Sequence, residues 1–74
     1  MTRAYRVLIE AEPDGGFAVW VPALPGCASQ GESPEEAFAN IKEAIQCYIE
    51  SAKKHGEPIP DERAPMEAMV EVAV

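Results

Sequence analysis

Glu10, Glu12, Asp14 and Glu32 stand in the first half of a 74-residue chain, and carboxylates are the side chains that hold paired metal ions for phosphoryl chemistry. Such a centre needs several of them converging on ions about 4 Å apart. The spacing here does not force convergence. Glu10 falls on the strand face away from Tyr5 and Val7, Asp14 sits in a turn that uses it for backbone bonding, and Glu32 precedes a helix cap. They are therefore expected to be solvated surface acids. His55 is the single histidine and stands beside Gly56 at a helix end, where an imidazole meets the last carbonyls; general acid–base work would need a partner that the spacing does not supply. Cys27 follows Gly26 and is expected to be a buried small hydrophobe, Cys47 to line the packed edge of a helix, and Ser29 and Ser33 have no histidine base nearby in sequence. No catalytic residue, metal ligand or cofactor site is expected, and the chain is read as a non-enzyme.

Composition points the same way. Thirteen acidic and six basic residues give a formal net charge of −7, which repels a nucleic-acid backbone and suits a basic protein partner. The hydrophobic fraction of 47% supports a folded core. A single domain over residues 1–74 is expected, and one so small invites oligomerisation. Two cysteines without an export signal make no disulfide framework, and no stretch approaches membrane-spanning length, so a cytoplasmic home with no membrane partner is expected.

The elements that must position these residues follow from periodicity and turn chemistry. "YRVLIEA", residues 5–11, alternates as a strand with Tyr5, Val7, Ile9 and Ala11 on one face, and "EPDGG" supplies a hairpin turn. "FAVWV" is a second strand with apolar residues on both faces. Pro22 stops its ladder, "LPG" turns the chain again, and "CASQ" resumes as a short third strand. Ser33 as cap, Pro34 in the first turn and Glu36 as capping-box partner open a helix that Gly56 ends, roughly Pro34 to His55. Its apolar stripe comprises Ala37, Phe38, Ile41, Ala44, Ile45, Tyr48, Ile49 and Ala52. After the connector "EPIPDERAP", weak alternation in "MEAMVEVAV" predicts an edge strand near Ala68 to Ala73, added to this sheet or to a neighbour's. The fold class is α+β in the order β-β-β-α-β: a three-stranded antiparallel meander packed by one long helix, plus a C-terminal edge strand.

The runs "YRVLIEAEPDGGF", "VPALPGCASQG", "SPEEAFANIKEAI" and "GEPIP" together resemble the HicB antitoxin family, specifically its small N-terminal domain with a partial ribonuclease H-like fold. The resemblance covers roughly Tyr5 to Pro60. It implies an antitoxin that binds and silences a small basic mRNA-cleaving ribonuclease of HicA type. Many relatives add a ribbon-helix-helix or helix-turn-helix domain that binds their own operator. "DERAPMEAMVEVAV" offers neither a helix pair nor a basic cluster for such a motif, so no C-terminal DNA-binding domain and no direct DNA binding are expected.

The expected contacts are with a second copy, as homodimer or higher oligomer, and with the toxin. Trp20 is the candidate anchor, with packing under the helix as its equal alternative. Leu8 shares the outer face with one row of the second strand, its nearness to Trp20 depending on register. Glu10, Glu12, Asp14, Glu32, Glu35 and Glu36 form the candidate acidic contact surface. The alternative function is an orphan oligomeric scaffold or small-ligand-binding domain with no toxin.

Overall fold

In the computed structural model, which describes residues 2–62 and 68–74, three short strands precede one long helix. Strands β1 (Leu8–Ala11), β2 (Phe17–Trp20) and β3 (Ala28–Gly31) form one antiparallel sheet in the order β1-β2-β3, and α1 spans Pro34–Lys54. This is the expected α+β arrangement of meander and covering helix.

Turn chemistry sets the sheet. In the first hairpin Gly15 N donates to Glu12 O and Glu12 N to Gly16 O, at 3.1 and 3.0 Å, while Gly15 and Gly16 hold φ of 101° and 83°. A side chain rarely adopts that left-handed region, so the glycine pair permits the turn. Between β2 and β3, "PALPG" makes two successive turns, with Leu24 N donating to Val21 O and Cys27 N to Leu24 O. Pro25 followed by Gly26 at φ 80° is the signature of a type II turn. Leu24, at the corner shared by the two turns, is fully buried. The loop is a rigid corner that plugs the core.

The helix begins as its sequence dictates. Ser33 Oγ accepts from Glu36 N at 3.2 Å, Pro34 occupies the first turn, and the Glu36 carboxylate reaches back to Glu32 N at 3.4 Å. At the other end His55 Nδ1 donates to Ser51 O at 2.8 Å. Gly56 N donates to Lys53 O and Glu57 N to Ala52 O, with Gly56 at φ 67°, which is the Schellman closure.

Val19, Val21, Leu24, Cys27, Ala37 and Ile41 form the buried core, with Tyr5, Val7, Phe17, Ala44, Ile45 and Tyr48 packed against it. Each large aliphatic side chain so buried contributes about 1.5–3 kcal/mol. The helix lies over β3 and β2 rather than over the whole sheet, and two expectations change with it. Phe38 and Cys47 flank the line of contact on opposite sides of α1 and are exposed rather than packed. Ile9 pairs with buried Val19 yet stays 36% exposed because no helix covers β1.

The expected edge strand at Ala68–Ala73 does not form within the chain: residues 68–74 carry no strand pairing and are exposed throughout. Alternation gives a segment the propensity for a strand but not the ladder partner a strand requires. Residues 63–67, the end of the connector and the first two residues of "MEAMVEVAV", lie outside the described residues.

Candidate functional site

The end of the first hairpin meets the start of the helix, and the contact depends on a missing side chain. Gly31 is buried at the end of β3, and a Cβ placed there would stand 2.9 Å from both Ala37 Cα and Glu36 C, and closer still to Ala37 N. Glycine thus lets the helix backbone rest directly on the strand. Asn40 Nδ2, one turn further along α1, donates to Gln30 O at 2.7 Å and ties the helix to the outer edge of β3.

This close approach brings together residues that are distant in sequence. Glu12, Asp14, Gly15 and Gly16 of the hairpin, Gln30, Gly31 and Glu32 of the β3 end, and Glu36 and Asn40 of α1 line one depression of about 370 Å³. Four of the candidate acids, Glu12, Asp14, Glu32 and Glu36, therefore share a site. Glu10 lies on the outer face of β1 and Glu35 on the exposed first turn of the helix, and neither lines the depression. Among the described residues no three His, Cys, Asp or Glu side chains are grouped to hold a metal ion. Arg3 with Asp61, at 2.6 Å, is the sole ion pair among them, so no basic side chain neutralises the depression.

The outer face of the sheet carries the apolar candidates. The register puts Leu8 directly opposite Trp20, and Trp20 opposite Ala28, as one half-buried to exposed row on the side of the sheet away from α1. Trp20 is not packed under the helix; Val19 is. Cross-strand pairing supplies the Leu8–Trp20 contact that spacing alone could not.

Cys27 is a core residue, and burial pushes its thiol above the ordinary range, which suppresses the thiolate a nucleophile needs. Cys47 is free and exposed. Both cysteines border a second depression of about 400 Å³ beside the "PALPG" corner, with Gly26, Tyr48 and Glu57. The sequence did not single out Asn40 or Gly31; the glycine of the "QG" pair preceding the helix cap was the trace of the second, and Asn40, which bonds a main-chain carbonyl, left none. Among the described residues no helix is long and apolar enough to cross a membrane.

Residues 5–73 match the family model described as HicB-like antitoxin of bacterial toxin-antitoxin systems. A UPF0150 protein of Thermoplasma acidophilum is 57% identical over 60 residues, covering 81% of this chain and 87% of that relative. A UPF0150 protein of Synechocystis is 52% identical over 58 residues, covering 78% and 73%. An uncharacterized 14.9 kDa protein from the rep-hol intergenic region of Haemophilus phage HP1 is 43% identical over 56 residues, which make up 76% of this chain but 41% of the phage protein. The match spans the sheet, the "PALPG" corner, the helix and the tail, and the chain belongs to the HicB-like antitoxin family of bacterial toxin-antitoxin systems.

Proposed function

We propose that the chain is a non-enzymatic antitoxin that binds a small basic mRNA-cleaving ribonuclease of HicA type and masks its active surface. The observation that carries this reading is the depression in which Glu12, Asp14, Glu32 and Glu36 meet with no basic partner among the described residues. A rim of one charge sign steers an oppositely charged partner and sets the salt dependence of capture. Leu8 and Trp20 offer an apolar anchor on the sheet's outer face, and Glu10 and Glu35 extend the acidic surface. Family membership supports the antitoxin role; the nuclease and its contact residues are our assignment.

The test is capture from a native lysate with the tagged chain, at low and then high salt, with the retained proteins identified by mass spectrometry. One small basic ribonuclease should be retained at equal stoichiometry and released by salt, and at lower salt from a chain carrying Glu12→Gln and Glu32→Gln. RNA cleavage with turnover by the purified chain alone would overturn the reading.

The depression beside "PALPG" favours a second reading, an orphan oligomeric domain that holds a small molecule there. Recovery of nothing but the chain's own copies, together with a small molecule that raises the melting temperature and protects Cys47 from alkylation, would favour it.

A further inference from the structure

We propose that residues 68–74 form a fourth strand in trans: the tail of each copy pairs along the open β1 edge of a second copy, and the exchange is reciprocal. The tail has a strand's alternation, with Val70, Val72 and Val74 on one side and Met69, Glu71 and Ala73 on the other. It buries none of it in its own chain, where Met69, Val70 and Val72 are 98%, 79% and 76% exposed. The molecule is elongated to match. Its Cα radius of gyration is 14.6 Å, against about 11 Å for a compact domain of this length. The long axis is 47 Å, while a 21-residue helix accounts for about 32 Å.

The sheet offers two edges, and they are not equivalent. On β3 the carbonyl of Gln30 already accepts from Asn40, and Gly31 is pressed against the helix backbone. On β1 the outward backbone groups of Leu8–Ala11 have no strand beside them among the described residues, while just before the strand Tyr5 and Arg6 donate to Pro60 O and the Glu62 carboxylate; an unpaired edge is the condition that invites strand addition. The side of β1 that faces the core is also unfinished. Ile9 continues the Tyr5–Val7 row without cover, and beside that row Tyr5, Ile45, Ile49 and Ile59 line a groove of about 850 Å³. A strand laid along β1 with its valines toward the core would shield Ile9 and overhang this groove.

Charge favours a second copy as the source. The chain is acidic overall, yet Lys42 and Lys53 rim this groove, beside Arg3 in its ion pair with Asp61. It is the patch where a second acidic chain approaches with least repulsion. Reciprocal exchange around a two-fold axis closes both β1 edges, so the assembly ends at two copies. None of this rests on the silencing of a nuclease.

The test is the solution mass of the full chain by sedimentation equilibrium. Wild type should run as a dimer of the 8.0 kDa chain at micromolar concentration. Val70→Asp with Val72→Asp should raise the dimer dissociation constant roughly 100-fold or more, since two apolar side chains per tail lose their burial. Both positions lie outside the core, and an unchanged far-UV spectrum verifies the fold. Ile9→Lys, an inward-pointing edge charge, should weaken the dimer in the same way. Mixing the two variants should give a heterodimer tighter than either homodimer and weaker than wild type, because one exchange joins a sound tail to a sound edge while both lesions fall in the other. A monomeric wild type, a tail variant that dimerises as well as wild type, or a mixture that associates no more tightly than either variant alone would each overturn the proposal.

Discussion

Replacing Gly31 with alanine adds one methyl group at the point where strand and helix backbones touch. The new Cβ would lie 2.9 Å from Ala37 Cα and Glu36 C and nearer still to Ala37 N, all of them main-chain atoms that no rotamer change can move. Relief requires α1 to lift from β3, which strains the Asn40–Gln30 bond and opens the contact between Ala37 and the core. Overpacking of this kind costs about 1–3 kcal/mol. A domain of this size has roughly 4–11 kcal/mol to lose, so Gly31→Ala should lower the melting temperature by about 5–20 °C. Thermal and urea unfolding followed by circular dichroism measure it. Gly26→Ala is the comparison, because no neighbour lies within 4 Å of its Cβ and only the left-handed backbone at φ 80° is penalised, at about 1 kcal/mol. A Gly31→Ala chain that melts with wild type, or above Gly26→Ala, would refute the claim that direct backbone contact fixes the helix on the sheet.

Other expectations follow from the same geometry. Ser33→Ala removes the acceptor for Glu36 N and should cost about 0.5–2 kcal/mol in urea unfolding. In the native chain Cys47 should react with a thiol reagent at once and Cys27 only on unfolding, as mass spectrometry of the alkylated protein would show. Because the folded pKa of Cys27 is raised, the folded state keeps its proton where the unfolded chain has lost it. Stability should therefore be full below the ordinary thiol pKa of about 8.5 and fall as pH rises above it. Cys27→Ala should flatten that decline in a series of melting curves.

The helix was legible residue by residue: Ser33, Pro34, Glu36 and Gly56 mark its ends in the sequence and do so in the structure. Its stripe was drawn too wide, because periodicity reports which side of a helix is apolar and not how much sheet lies beneath it. With α1 confined to β2 and β3, Phe38 and Cys47 fall outside the covered strip. The strands were legible as alternation, but the register that sets Leu8 against Trp20 depends on how the Glu12–Gly16 turn closes. The carboxylates are a tertiary product: Glu12 and Glu36 are 24 positions apart and share a depression only because Gly31 admits the helix so closely. In the tail, the alternation of Val70, Val72 and Val74 was visible, whereas alternation does not specify a ladder partner, and residues 68–74 pair with no strand among the described residues.

The acidic depression and the apolar groove have no lining residue in common. The first is bounded by Glu12, Asp14 to Gly16, Gln30 to Glu32, Glu36 and Asn40, the second by residues before β1, the Lys42-to-Lys53 side of α1, and Ile59 and Asp61. A dimer closed by tail exchange at β1 would therefore leave both acidic ends unobstructed, and each copy would keep its own capacity for a basic partner. If one chain silences one nuclease, the full assembly holds two of each. Breaking the exchange with Val70→Asp and Val72→Asp should then change the mass of the complex without changing its ratio, and sedimentation of the complex would show equal numbers of both chains in a particle of half the size. A tail variant that no longer captures the nuclease at all would instead place the dimer interface and the nuclease contact on one shared surface.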